Sequence, residues 1–213
     1  MEPKRHYSSD VAFSPPVKEI QKRKGSRRGY ARLEERGGWA TAITPDLKDF
    51  IESQISIFMA TANAERQPYI QHRGGPPGFL RVLDEHTLGF VDFTGNRQYI
   101  TEGNLVDNDK AQLFLIDYGS RQRVKIWGTA RVVEDDPALI EQLMRADYQT
   151  KAEQVILFNV VAWDANCPQH IPLRFEAAEV SAAMEKRDNR IRELEAELAA
   201  LRSARRDHLK DED

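Results

Sequence analysis

Hydrophobic and polar positions divide the chain into three zones. The first, residues 1–43, is polar and punctuated by Ser14-Pro15-Pro16, Gly25 and Gly37-Gly38. Short helices are expected there around 17–24 and 26–36. A clearer start follows: Thr44-Pro45-Asp46 puts a capping hydroxyl before a proline at the first helical position, with an acid favoured by the helix dipole. Leu47, Phe50, Ile51 and Ile55 then fall at helical spacing, which predicts an amphipathic helix over 45–54.

The second zone, 56–175, reads as mostly strands. A short buried run at 57–61 and a second strand at 68–72 flank the turn residues 63–67, and strands at 79–83 and 87–91 flank Asp84-Glu85-His86 as a hairpin. One or two helical turns are expected over 98–104, ended by Gly103-Asn104. Strands follow at 111–117 and 123–133, the second placing Val124, Ile126, Gly128 and Ala130 on one face. Residues 137–146 predict a helix carrying Leu139, Ile140, Leu143 and Met144, and 155–163 a final strand. Short strands at this spacing with two small helices argue for an antiparallel barrel rather than a doubly wound sheet.

The third zone, 176–213, changes to a heptad. Met184, Ile191, Leu194, Leu198 and Leu201 take a and d positions among Glu, Lys and Arg, with Arg187 interrupting the seam. That gives about two to three good heptads, short for a self-sufficient coiled coil.

Composition fits one domain with appendages. Of 213 residues, 40% are hydrophobic and 31% charged, so the charged excess belongs on exposed arms. No run of about 18 apolar residues and no apolar stretch behind MEPKRHYSSD predict neither a transmembrane helix nor a secretory signal. A single cysteine, Cys167, fits a reducing compartment, and the chain is expected to be cytoplasmic. Residues 1–38 hold ten Lys/Arg against five acids. That arm lacks the interleaved aromatics that grip single strands, and the overall pI is near 6.0, so nucleic-acid binding is not expected.

Several chemistries are absent from the sequence: no GxxxxGK[ST] loop, no GxGxxG after a strand, no HExxH, no CxxC pair and no GxSxG elbow. No metal site is expected. Cys167 and His170 stand three apart in NCPQH, open to reading as a thiolate–imidazole pair or as a packed thiol in a turn. Glycines and prolines in the segment Gln71–Asp84 indicate an irregular crossing where backbone can approach a ligand. Arg73 and Arg81 flank it. In TGNRQYI a strand gives way to a helix beside Asn96 and Arg97, an arrangement suited to a phosphate. Arg121, Gln122 and Arg123 enter a further strand. These arginines compose either an anion site or ordinary surface charge.

The segment GFVDFTGNRQYITEGNLVDNDKAQLFLID, followed by RQRVKIWGTARVVEDDP, resembles the flavin-binding split barrel of the pyridoxamine 5′-phosphate oxidase family. HRGGPPGF and WDANCPQH are similar to segments of an uncharacterised bacterial flavoprotein subgroup within it. The resemblance covers about 8–175. It implies a mainly β fold with flanking helices: a six-stranded antiparallel Greek-key split barrel over 44–175. A basic arm over 1–43 precedes it and a coiled-coil helix over 176–213 follows. It also implies a homodimer with FMN in clefts between subunits.

Site residues implied by the resemblance follow position by position. Asn96 and Arg97 match the step whose side chains hold the FMN phosphate, and Gln98 stands where many members have lysine. Arg81 matches a lysine near the flavin, Asp92 falls in the strand that contacts it through backbone, and Arg123 replaces a glutamine that reaches it. His72, Arg73 and Gly74 would line the ring or phosphate, and Trp163 and His170 would tune the flavin from the C-terminal segment. The oxidases proper end in an arginine–histidine substrate clamp, and WDANCPQHIPLRF departs from it. The expected function is an FMN-dependent oxidoreductase of unknown substrate, with NAD(P)H or a small molecule as reaction partner. The alternative is a non-catalytic module that binds flavin, haem or a deazaflavin and recruits a partner through its coiled coil.

Overall fold

A computed structural model describes residues 6–148, 150–166 and 168–208. Cys167, and with it any thiolate–imidazole pair, lies outside the described residues. By its contacts the chain divides into a body, residues up to 117 together with 121–171, and a second unit of 118–120 and the segment from 172 onward.

The body opens with a 3-10 turn and a helical hairpin, α1 (Pro15–Lys24) and α2 (Arg27–Glu35). Gly25 ends α1 at φ 82°, with its N–H and that of Ser26 donated back to Lys22 and Gln21, a left-handed termination that glycine makes without steric cost. This arm folds onto its own body rather than extending into water. Phe13 packs against Tyr30 and Trp39, and Trp39 stacks on Trp127 with ring centroids 4.6 Å apart. Ser8 Oγ donates to the Trp39 carbonyl (2.6 Å) and fixes the turn that delivers the tryptophan.

Helix α3 (Pro45–Ser53) starts where its signals lie: Thr44 Oγ1 accepts from Leu47 N–H at 3.3 Å. It buries Leu47 and Ile51 on the sheet. The strands are β1 (Ser56–Ala62), β2 (Pro68–Gly74), β3 (Leu80–Val82), β4 (Thr87–Phe93), β5 (Lys110–Asp117), β6 (Gln122–Val133) and β7 (Ala152–Asn166). All pair antiparallel in the order β2-β1-β5-β6-β7-β4-β3. The sheet therefore has seven strands, not the six expected. Strand β3, the first arm of the hairpin read over 79–91, is three residues paired to β4 alone at an edge.

Alternation builds the core. Val124, Ile126, Gly128 and Ala130 all face inward as their spacing predicts. With Ile57, Met59, Leu113, Leu115, Ile156 and Phe158 they form one apolar interior on the concave side of the curled sheet. A smaller cluster on the other face joins Val91 and Val155 to Leu143 of α5 (Pro137–Leu143), a helix capped by Asp136. Curling needs Gly128: β6 bulges between Trp127 and Gly128, and a Cβ there would stand 2.0 Å from the Asn159 carbonyl.

Helix α4 (Ile100–Asp107) runs through Gly103 and Asn104, which were expected to end it. Asn104 is buried and donates to Thr61 Oγ1 at 3.0 Å, so a residue typical of helix ends serves as a tether to β1. Helix α5 stops at Leu143, three residues short of the expected end, because Met144 turns extended. In the second unit, α6 (Ala177–His208) is a single helix, and the Arg174 guanidinium lies 4.5 Å from the Tyr118 ring centre. Among the described residues no helix is long and apolar enough to cross a membrane.

Candidate functional site

Strand β2 is an edge with polar residues on both faces. Tyr69, Gln71 and Arg73 are half-buried on one side, while Ile70 and His72 are exposed on the other. The first set looks across an open seam toward the far part of the sheet. There the Arg73 guanidinium forms a short ion pair with Asp92 of β4, joining two strands that have four others between them in the order. Between them lies a cleft of about 240 Å³. Its wall is completed by the loop 95–99, the first turn of α4 and the polar start of β7 (Glu153, Gln154).

Hydrogen bonds organise this cleft. Gln71 Oε1 accepts from both Tyr69 and Thr101 hydroxyls, each at 3.1 Å. Gln154 Nε2 reaches Asp92 Oδ2 and Glu102 Oε2, both at 3.4 Å. Tyr99 hydroxyl donates to Glu153 Oε1 (2.9 Å), and that bond raises the Tyr99 phenol above its ordinary range. Burial pushes the Asp92 carboxyl above the usual aspartate range. The Arg73 charge and Gln154 offset only part of that rise, and Glu153 and Glu102 add to it. Arg73 Nε is buried without a hydrogen-bond partner among the described residues, a donor still to be satisfied.

The loop at the cleft mouth has unusual backbone. Asn96 Oδ1 accepts the Gln98 N–H (3.2 Å), and both Arg97 (φ 59°) and Tyr99 (φ 52°) are left-handed. Non-glycine residues in that region carry strain of order 1–3 kcal/mol each and cluster at binding sites. Tyr99 precedes α4 without capping it by a side chain, so the first-turn N–H groups at Ile100, Thr101 and Glu102 stand at a wall of the cleft.

Of the residues singled out in the sequence, the fold gathers Arg73, Asp92, Asn96, Arg97 and Gln98 in this cleft. The others stand elsewhere in the chain. His72 Nε2 meets Ser56 Oγ (2.8 Å) on the opposite face of β2. Gly74 and its neighbours approach the chain itself: Gly75 N–H donates to Ile55 and Gly78 N–H to Glu52. Arg81 donates to the Gln142 carbonyl at 2.6 Å. Arg123, opposite Ile116 and Asn166, has a buried Nε with no partner among the described residues. Trp163 donates its indole N–H to the Ala42 carbonyl at 2.9 Å. His170 is exposed, at φ 66°, in the turn after β7.

Sequence reasoning missed Tyr69, Gln71, Tyr99, Thr101, Glu102, Glu153 and Gln154. A signal was present in β2, where Tyr69, Gln71 and Arg73 alternate as polar residues on a face that should be apolar if it met only core.

A family model described as pyridoxamine 5′-phosphate oxidase matches residues 43–167. No curated protein matches the chain. Among solved structures it is similar to HupZ of Group A Streptococcus (22% identity over 62% of this chain and 99% of that one, TM-score 0.45). It is also similar to an FMN-binding protein of Syntrophomonas wolfei (12% identity, 70% and 96%, TM-score 0.45). A third is the FAD binding protein of Mycobacterium smegmatis (16% identity, 60% and 97%, TM-score 0.42).

Proposed function

This chain belongs to the pyridoxamine 5′-phosphate oxidase family, and on that premise we propose that it is an FMN-dependent oxidoreductase whose cleft is completed by a second copy. The observation that carries the reading is the mouth of the cleft. Arg97 and the uncapped start of α4 meet there, beside the unsatisfied buried Nε of Arg73. Helix-start N–H groups and guanidinium donors suit a phosphate ester, so the residues fit the phosphate end of FMN. The volume supports a shared site. A cleft of about 240 Å³ is smaller than the roughly 300–1,000 Å³ that encloses a ligand of this size, so one protomer supplies part of the wall.

Bound there, FMN supplies hydride or electron transfer. The chain's own residues bind and hold protons. Arg97 and the α4 N–H groups grip the phosphate, and the Asn96 side chain fixes the turn that presents them. Arg73 neutralises Asp92 while keeping one donor free. Burial raises the Asp92 carboxyl above its usual range, and Gln154 Nε2 donates to its second oxygen. Trp163 is committed to Ala42, and the segment after it lacks the arginine–histidine clamp, which supports a substrate other than pyridoxamine 5′-phosphate.

The absorbance spectrum of the purified protein tests this. A yellow holoprotein absorbing near the flavin maximum (~450 nm), bleached anaerobically by NAD(P)H, is expected. A haem-type spectrum would contradict the cofactor, and flavin colour that no nicotinamide or small-molecule reductant bleaches would favour a passive binding module.

A further inference from the structure

Helix α6 runs from Ala177 to His208 with Val180, Met184, Ile191, Leu194, Leu198 and Leu201 all exposed. Every a and d position from Val180 to Leu201 is apolar except Arg187. A stripe this narrow suits a helical seam rather than a globular face. We infer that α6 pairs with the same helix of a second copy as a parallel, in-register, two-stranded coiled coil. This stands independently of the flavin reading.

The flanking charges choose the occupant and the register. Arg190 and Glu197 hold g positions, and Glu195 and Arg202 hold the e positions of the following heptads. In a parallel in-register pair each g side chain meets the next e side chain of its partner. Arg190 then faces Glu195 of the partner subunit, and Glu197 faces Arg202 of the partner subunit. Both pairs attract, and symmetry makes each twice. A slip of one heptad sets Arg190 against Arg202 in one direction and Glu197 against Glu195 in the other, so slipped registers carry like charges. Within its own helix Arg190 lies 2.9 Å from Glu193 and 4.0 Å from Glu197, while 59% of its side chain is exposed and free to turn across the seam.

Seam chemistry sets the number of strands. Ile191 at a with Leu194 at d favours two strands, and Leu198 at the next a weakens that preference. Arg187 at d tips the balance, because in a pair its stem covers the seam while its guanidinium reaches water. In a larger bundle the same residue would bury its charge. A parallel in-register pair also has a two-fold axis, the symmetry of a closed homodimer.

Cysteine scanning of the full-length chain in a Cys167→Ser background tests the pairing. In parallel register each seam residue meets its own copy, within the roughly 4.4–6.8 Å Cα separation a disulfide spans. Met184→Cys and Leu201→Cys should therefore each cross-link to homodimer under mild oxidation, and Ala196→Cys on the outer face should not. Adding Glu195→Arg to Leu201→Cys should slow cross-linking severalfold, and adding Arg190→Glu as well should restore it. Any of four results overturns the inference: equal cross-linking at Ala196, none at Met184 or Leu201, cross-links only when the two seam variants are mixed, or insensitivity to the charge exchanges. The first means random collision and the third an antiparallel pair.

Discussion

Two polar networks sit inside the body, and they treat the same physical cost in opposite ways. In the arm, Asp10 and Glu34 share the Lys18 ammonium at 2.5 and 3.0 Å, and Arg27 pairs with Glu34 from the other side. In the cleft, Arg73 pairs with Asp92 while Glu102 and Glu153 stand by. Burial is the largest influence on both aspartates and pushes both upward. At Asp10 the Lys18 hydrogen bond, the Tyr7 backbone N–H and nearby cations outweigh it and hold the carboxyl below its ordinary value. At Asp92 a deeper setting and two further carboxylates leave it above. A network built for stability matches its charges locally, whereas one that keeps room for a ligand carries a mismatch.

The sharpest way to break this contrast is to remove the cation from the mismatched side. Arg73→Gln leaves Asp92 buried without its partner and should cost about 3–5 kcal/mol in urea unfolding of the apoprotein near neutral pH. The double variant Arg73→Gln/Asp92→Asn should recover most of that loss, since two neutral amides fit where an unpaired charge does not. A single-variant cost no larger than that of an exposed surface change would mean the pair is not a buried network at all.

The arm should respond less, and with the opposite pH dependence. Lys18→Met strands Asp10 and half of Glu34 and should cost about 1.5–3 kcal/mol, seen as faster proteolysis of the first 38 residues with the sheet intact. In the wild type, Asp10 binds its proton more weakly folded than unfolded, so its contribution is complete above the ordinary 3.8 and is lost as pH falls through the lower folded value. Asp92 binds its proton more tightly when folded. Its network therefore weakens as pH rises from 3.8 to the raised folded value and then levels off. Hydrogen exchange across this acid range should show residues 8–24 loosening while β2 and the start of α4 tighten. Parallel loosening of both would erase the distinction.

The two regions also differ in how far sequence exposes them. Strand β6 was readable because its inward set is apolar, and α3 because Thr44, Pro45 and Asp46 mark its start. The cleft was legible where short motifs carried it: at Arg73 in HRGGPPGF, at Asp92 in GFVDF, and at Asn96, Arg97 and Gln98 in TGNRQYI. Strand β7 begins three residues earlier than its apolar run, since Glu153 and Gln154 face the cleft and supply no hydrophobic signal. Gly103 and Asn104 misled because Asn104 satisfies its amide on Thr61 across the fold, a partner 43 residues away that no local pattern announces. Arg73 meeting Asp92 is of the same kind, a product of how far the sheet curls.

The most direct measurement is FMN affinity, by quenching of flavin fluorescence, for the wild-type apoprotein and for Arg97→Ala. A charge-assisted hydrogen bond to the phosphate, worth about 1.5–3 kcal/mol, predicts affinity weaker by at least about tenfold with an unchanged melting temperature of the apoprotein. Equal affinity in the two proteins, or no FMN binding by the wild type, would contradict placement of the cofactor phosphate at the start of α4.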